Sequence, residues 1–321
     1  MKTPDQSLLA PFFPQHIDWN DPSLFDRASQ EEKEQSEIQR PSLSYWQDAW
    51  RRLCRDKLAL LGLVIVLIIT FAAIVGPWLS HYTYDFQDFF VSNEPPSWTH
   101  LMGTDSFGRD IFVRVLYGAR ISLAVGLVAS LINLTIGVIY GGIAGFVGGT
   151  VDNIMMRIVD IIYSIPMIIY VILLMVVLGS GMVPIFITLG ISYWASMARI
   201  VRSEVMRLKN EEFVLAARVL GASPRRMLLR HLIPNAMGPI LVTLTFSIPS
   251  AIFTEAFLSF VGLGVSAPMA SWGMMSNDAL SSLSLYPWQL FFPAIAICVT
   301  ILGFNFLGDG LRDALDPRLR K

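Results

Sequence analysis

The chain of 321 residues is 54% hydrophobic and 15% charged, with a mean hydropathy of +0.54. Soluble domains carry about 25% charged residues, so this chain has too little polar surface to cover a globule in water. A net charge of −1 argues against nucleic-acid binding, and Cys54 and Cys298 make no disulfide framework. What composition leaves is a bilayer protein.

Residues 1–44 are polar, with acids and bases mixed (QEEKEQSE at 30–37), and read as a solvated cytoplasmic tail. The first apolar run begins at Leu58, too far in and too long for a signal peptide. In residues 45–57, Trp46, Trp50 and Leu53 fall on one helical face beside Arg51, Arg52, Arg55 and Lys57. That pattern predicts an interfacial elbow helix. Uncharged runs then place a transmembrane domain over 58–321, with spans at about 58–79, 121–146, 161–178, 182–198, 236–260 and 288–308. Gly179, Ser180, Gly181 and Pro184 divide the third from the fourth.

Basic residues orient these spans. With both termini inside, 21 Lys and Arg lie on the inner segments, against Arg109, Arg114 and Arg120 outside. The expected class is an all-α membrane protein with six transmembrane helices, N-in and C-in.

Catalytic signatures are missing. No lysine follows a glycine as a Walker A loop requires, and no GxSxG elbow is present. His16, His81, His100 and His231 form neither HExxH nor a close pair. The sequence therefore leads us to expect no catalytic residue, no metal site and no cofactor in this chain.

The largest polar interruption in the membrane half is the loop over 202–235. Phe213, Ala216, Ala217 and Leu220 make an apolar stripe that runs to Gly221, a C-cap signal. Ser223 and Pro224 form an N-cap and N1 pair that restarts a helix. Met227, Leu228, Leu232 and Ile233 give a second apolar face, which Pro234 ends. Two short helices meeting at a glycine can insert into a groove on a soluble partner or lie on the membrane as a connector.

Here the residues resemble a known family. Ala216, Ala217, Gly221 and Pro234 stand at the spacing of the EAA loop of ABC importer permeases, with Leu215, His231 and Ile233 departing from its Glu, Ile and Leu. Glu211 and Glu212 lie one turn away, and Arg225 follows the Ser-Pro pair. The stretch LMGTDSFGRDIFVRVLYGARISL, over 101–123, resembles the outer-face signature of the oligopeptide and dipeptide branch, through Gly103, Thr104, Asp105, Gly108, Arg109 and Asp110. EAFLSFVGLG (255–264) and LGDGLRDALDPR (307–318) match the same branch.

The resemblance implies a type I importer-permease architecture and a role in peptide import. It also implies a heterodimer with a homologous second permease, two ATP-binding subunits that hold ATP and Mg, and an extracellular peptide-binding protein. The 202–235 loop would be the helix that docks on the ATPase. On the residues alone, 104–120 reads as an amphipathic helix at the outer interface that either anchors structure or meets a receptor. The 307–318 tail either caps the chain or packs on the ATPase.

Inside the membrane, Gly126, Ser130, Gly137, Gly141 and Gly145 make a small-residue stripe suited to close helix packing. Ser130 and Asn133 are candidates for lining a polar pathway suited to peptide backbones. Glu255 is a carboxylate at membrane depth, either functional or held in a structural hydrogen bond. Nickel, glutathione or another small solute is an alternative cargo. A secondary transporter, or a scaffold with no transport role, is a more distant alternative.

Overall fold

The computed structural model describes residues 45–179, 181–265 and 268–316. The expected tail at 1–44, Ser180, and the terminal Arg318, Arg320 and Lys321 lie outside them. Among the described residues every element is helical, apart from an isolated antiparallel bridge between Thr104 and Asp110.

Helix α1, Tyr45–Leu53, splits the apolar face expected for it. Trp46 and Trp50 stay exposed, while Leu53 turns inward against Ala59, Leu311 and Ala314. Asp56 then caps α2, Lys57–Leu79, by accepting the N–H groups of Leu58 (2.8 Å) and Ala59 (3.2 Å). Apolar side chains such as Leu67, Ile68 and Phe71 stand exposed around α2, as a lipid-facing helix requires.

The second span does not begin at 121. Helix α3 runs unbroken over Ile111–Val147, because the Asp110 carboxylate accepts the Val113 N–H (2.9 Å) and starts the helix there. The expected amphipathic helix over 104–120 is thus a loop through Asp110, followed by the first turns of α3.

The third span also differs from its expectation at 161–178. It is a pair, α4 (Gly149–Ser164) and α5 (Met167–Leu178), bent by 78°. Pro166 explains the break, since it pushes the preceding Ile165 into an extended conformation (φ −87°, ψ 121°). Helix α6, Met182–Leu208, continues ten residues past the expected 198.

Beyond α6 come α7, Glu212–Val219, and a helical run over 224–235 (α8). Its middle, Met227–Leu232, is a π-helix. Pro234 offers no N–H to the Arg230 carbonyl, and the Ile233 N–H reaches Leu228 O, five residues back. Helix α9, Met237–Phe260, precedes a short outer helix α10, Trp272–Asp278. Helix α11, Trp288–Leu315, extends past the expected 308, so the tail resemblance lies largely on its last turns. Five of these helices are long and apolar enough to cross a bilayer, and the bent pair has the length and composition of either a broken sixth span or a re-entrant loop.

Helices α3 and α6 share the most extensive helix–helix interface. Gly137, Gly141 and Gly145 of the small-residue stripe lie in it, whereas Gly126 meets Ile252 and Ser130 meets Ser247 of α9. A Cβ added at Gly141 would run into the Ala198 carbonyl, and one at Gly145 would sit 2.6 Å from Arg202 O. Toward the C-terminal end of α6, Arg202 grips Asp152 of α4 in a two-pronged ion pair (2.5 and 2.6 Å). Lys209 donates to Phe146 O at the end of α3 (2.5 Å).

Replacing Gly141 with Val is therefore expected to force α3 and α6 apart, at a cost of about 3 kcal/mol or more. Thermal unfolding of the purified variant in detergent, compared with Gly126→Ala, which meets the flexible side chain of Ile252, measures this.

Candidate functional site

The outer-face residues come together in a buried ion-pair knot. Asp105 accepts from Arg109 Nε (2.6 Å) and lies 3.7 Å from Arg114, while Asp278 of α10 lies 3.4 Å from Arg109 and 3.7 Å from Arg114. The Arg114 side chain is among the largest fully buried ones. Asp110 pairs with buried His100 (2.8 Å) while its other oxygen caps α3.

Thr104 donates to Val91 O and accepts the Glu94 N–H (2.8 Å). Gln289 at the start of α11 donates to Thr104 O (3.0 Å) and Asn93 Oδ1 (2.8 Å). Burial raises the Asp278 carboxyl above the ordinary carboxylate range, and the Arg114 and Arg109 guanidiniums pull it part of the way back. The knot joins the 80–110 loop, α3, α10 and α11, and buries most of its own charge.

Glu255 is 0% exposed within α9. It accepts from Ser122 Oγ of α3 (2.9 Å) and Ser259 Oγ one turn on (2.8 Å). Ser271, which caps α10, lies 3.4 Å from Ser259. No cation stands within ion-pair distance of Glu255 among the described residues. Hydroxyls therefore supply its partners, and its place is the junction of α3, α9 and α10.

A separate cleft of about 330 Å³ opens between α3, α4, α6 and α9, lined by Asn133, Tyr163, Ser192, Tyr193, Ser196, Thr243, Phe246, Ser247 and Ser250. Ser130 sits behind it, its hydroxyl 2.8 Å from that of Ser247. Asn133 Oδ1 and Ser192 Oγ are buried with no hydrogen-bond partner among the described residues. Each such orphan costs about 1–3 kcal/mol. No charged side chain lines the cleft, and Glu255 does not reach it.

In the loop after α6, α7 ends at Gly221 in a left-handed turn (φ +81°). The Gly221 N–H bonds Arg218 O (3.0 Å) and the Ala222 N–H bonds Ala217 O (3.0 Å), the paired closure of a Schellman motif. Ser223 Oγ accepts the Arg226 N–H (3.4 Å) and opens α8 at Pro224. Val214, Ala217, Met227 and Leu232 are buried, packing the loop onto α6 and α9.

The expected stripe of Phe213, Ala216, Ala217 and Leu220 is thus rotated. Val214 replaces Phe213 on the buried side, and Val219 and Leu220 are 86% and 87% exposed at the tip. Glu211, Glu212, Ala216 and Arg225 are exposed as well, and His231 and Pro234 lie on α8. Among the described residues no three His, Cys, Asp or Glu side chains gather into a metal-binding group.

Comparison with known proteins places this architecture. The model of the binding-protein-dependent transport system inner membrane component matches residues 137–321, more than half of the chain. The chain belongs to that family.

The N-terminal transmembrane domain of oligopeptide transport permease C matches residues 44–96 of the permease. The permease is 53% identical to the oligopeptide transport system permease protein OppC of Bacillus subtilis, over 93% of this chain and 98% of that one. It is 52% identical to the dipeptide transport system permease protein DppC of the same organism, over 90% and 91%. The glutathione transport system permease protein GsiD of Escherichia coli is 42% identical, over 86% and 91%. Its fold resembles a chain of the MetNI methionine ABC transporter in an inward-facing conformation, with a TM-score of 0.53 and 20% identity over 63% of the permease and 96% of that chain.

In the ion-pair knot, His100, Arg114, Asp278 and Gln289 were not legible as site residues, nor were Ser122 and Ser259 beside Glu255 or the cleft's Ser192 and Ser247. Arg114 carried a signal, as an arginine spaced for the buried side of α3. Asp278 and Gln289 lie about 170 residues or more from their partners, and nothing local marks them.

Because the Asp278 carboxyl is raised, its charged form costs stability that returns as pH falls through that value. Asp278→Asn removes this cost along with its ion pairs, whereas Asp105→Asn keeps an oxygen for the Phe107 and Arg109 N–H groups but turns an amide NH2 toward Arg109 Nε, which the second carboxylate oxygen met at 2.6 Å. At pH 7, Asp105→Asn is expected to lower the melting temperature of the purified permease more than Asp278→Asn does.

Proposed function

We propose that this permease is the membrane subunit of an ATP-driven importer that carries peptides across the bacterial plasma membrane by alternating access. Its termini face the cytoplasm, following the division of basic residues. It pairs with a homologous second permease. Two ATPase subunits bind ATP and Mg, and an extracellular binding protein delivers the peptide. This chain forms and breaks no covalent bonds.

One observation carries the coupling assignment: the tip at Val219, Leu220 and Gly221 is the most exposed apolar part of a loop that buried Val214, Ala217, Met227 and Leu232 fix in place. Exposed apolar side chains on a rigid base suit a groove on a soluble partner. The loop grows directly from α6, which lines the cleft through Ser192 and Ser196. Movement of the ATPases therefore reaches the pathway through one helix. The ion-pair knot anchors the outer loops in place, and Ser130, Asn133 and the hydroxyls around them line the route. OppC and DppC relatives at 53% and 52% identity support peptides as the cargo.

Two measurements test this. The complex with its partner subunits, reconstituted in proteoliposomes with ATP, is expected to accumulate labelled peptide, and not nickel or glutathione, when its binding protein is present. Uptake by this chain without any ATPase would overturn the importer reading. Gly221→Val strains a position at φ +81° with open space around it. The variant is expected to insert normally and lose at least tenfold in uptake. Uptake at the wild-type rate would overturn the coupling role.

A further inference from the structure

The neutral cleft has a chemistry that deepens the peptide-import reading, on which the following rests. Asn133, Ser192 and Ser247 lie near the middles of α3, α6 and α9. Polar side chains at that depth face protein or a water-filled route, not hydrocarbon. Within α9, Pro249 interrupts the helical ladder beside Ser247 and Ser250.

The unpaired atoms show what this surface lacks. Asn133 is 2% exposed, and its Oδ1 has no partner, nor has the Ser192 hydroxyl. Most other hydroxyls nearby are spoken for. Thr243 bonds Pro239 O (2.8 Å), Ser250 bonds Phe246 O (2.8 Å), and Tyr193 bonds Ser250 O (2.9 Å). A side-chain amide offers both a carbonyl acceptor and N–H donors, the same groups that a peptide bond presents.

Three ligand chemistries fit poorly. A metal ion finds no carboxylate, thiolate or imidazole in the lining. A charged terminus or side chain finds no counter-charge. A wholly apolar solute would leave both orphans unpaired. The cleft volume of about 330 Å³ lies at the lower end of small-molecule sites, roughly 300–1,000 Å³.

We propose that the cleft is a binding surface for the main chain of the passing peptide, with the Asn133 amide and the Ser192 hydroxyl supplying the hydrogen bonds. Such contacts ignore side-chain identity. They let one route carry many sequences while still engaging each one.

The test uses the complete complex in proteoliposomes and two peptides of one sequence, one of them N-methylated at an internal peptide bond. The ratio of their initial uptake rates is measured with wild type and with Asn133→Leu. The binding protein's own preference enters both ratios equally and cancels. Wild type is expected to favour the unmethylated peptide, and the variant to reduce that preference about fivefold, the worth of one hydrogen bond. Equal ratios, with wild-type uptake intact, overturn this assignment alone. A wild-type complex that imports neither peptide overturns the peptide reading beneath it.

Should Asn133→Leu fail to assemble, Asn133→Cys in a chain with Cys54→Ser and Cys298→Ser decides. A polar thiol reagent is expected to label it, and saturating peptide to slow the labelling. An unreactive Cys at 133, or labelling that peptide leaves unchanged, overturns the proposal.

Discussion

The close approach of α3 and α6 is the constraint on which the rest of the molecule depends. In lipid, no hydrophobic force drives two helices together, so van der Waals contact between backbones must do it. Gly137, Gly141 and Gly145 allow that contact against Met197, Ala198 and Arg202. Once joined, the two helices carry every other feature between them. Helix α3 is capped in the ion-pair knot at one end, lends Ser122 to Glu255, and places Asn133 in the cleft. Helix α6 passes the same cleft and ends as the base of the cytoplasmic loop.

The two ends of this rod are stabilised by different physics. At one end, Asp105, Arg109, Arg114 and Asp278 hold one another in a buried charge network, where removing a single member leaves an uncompensated partner. At the other, Val205, Leu208, Val214, Met227 and Leu232 make an apolar core that tolerates small shifts in packing. Directional bonds resist sliding, and apolar contacts permit it.

Much of this was legible in the sequence, and the gaps have physical reasons. The apolar runs located the helices well, because length and the absence of charge are local properties. Helix ends were less visible. Asp110 and the last turns of α6 and α11 are polar, yet they continue or begin helices that the hydropathy pattern alone would have stopped. The Gly221 turn and the Ser223–Pro224 restart were readable, since caps depend on residues within a few positions. The rotation of α7 was not. Its buried face is set by Met227 and Leu232 from the next helix. Likewise Glu255 announced itself as a carboxylate among apolar neighbours, but its partner Ser122 is 133 residues away.

The bend at Pro166 has a consequence for the thickness of membrane this subunit accepts. Helices α4 and α5, of 16 and 12 residues, would span about 42 Å if laid straight. That exceeds a hydrocarbon core of about 30 Å by roughly two helical turns. Bent by 78°, the same residues reach about 33 Å from end to end. For a pair that crosses as one span, the proline removes a length mismatch that would otherwise be met by tilting the helix or deforming the bilayer around it. At the other end of α4, fourteen residues before the bend, Asp152 meets Arg202, so the pair is tied to α6 by an ion pair.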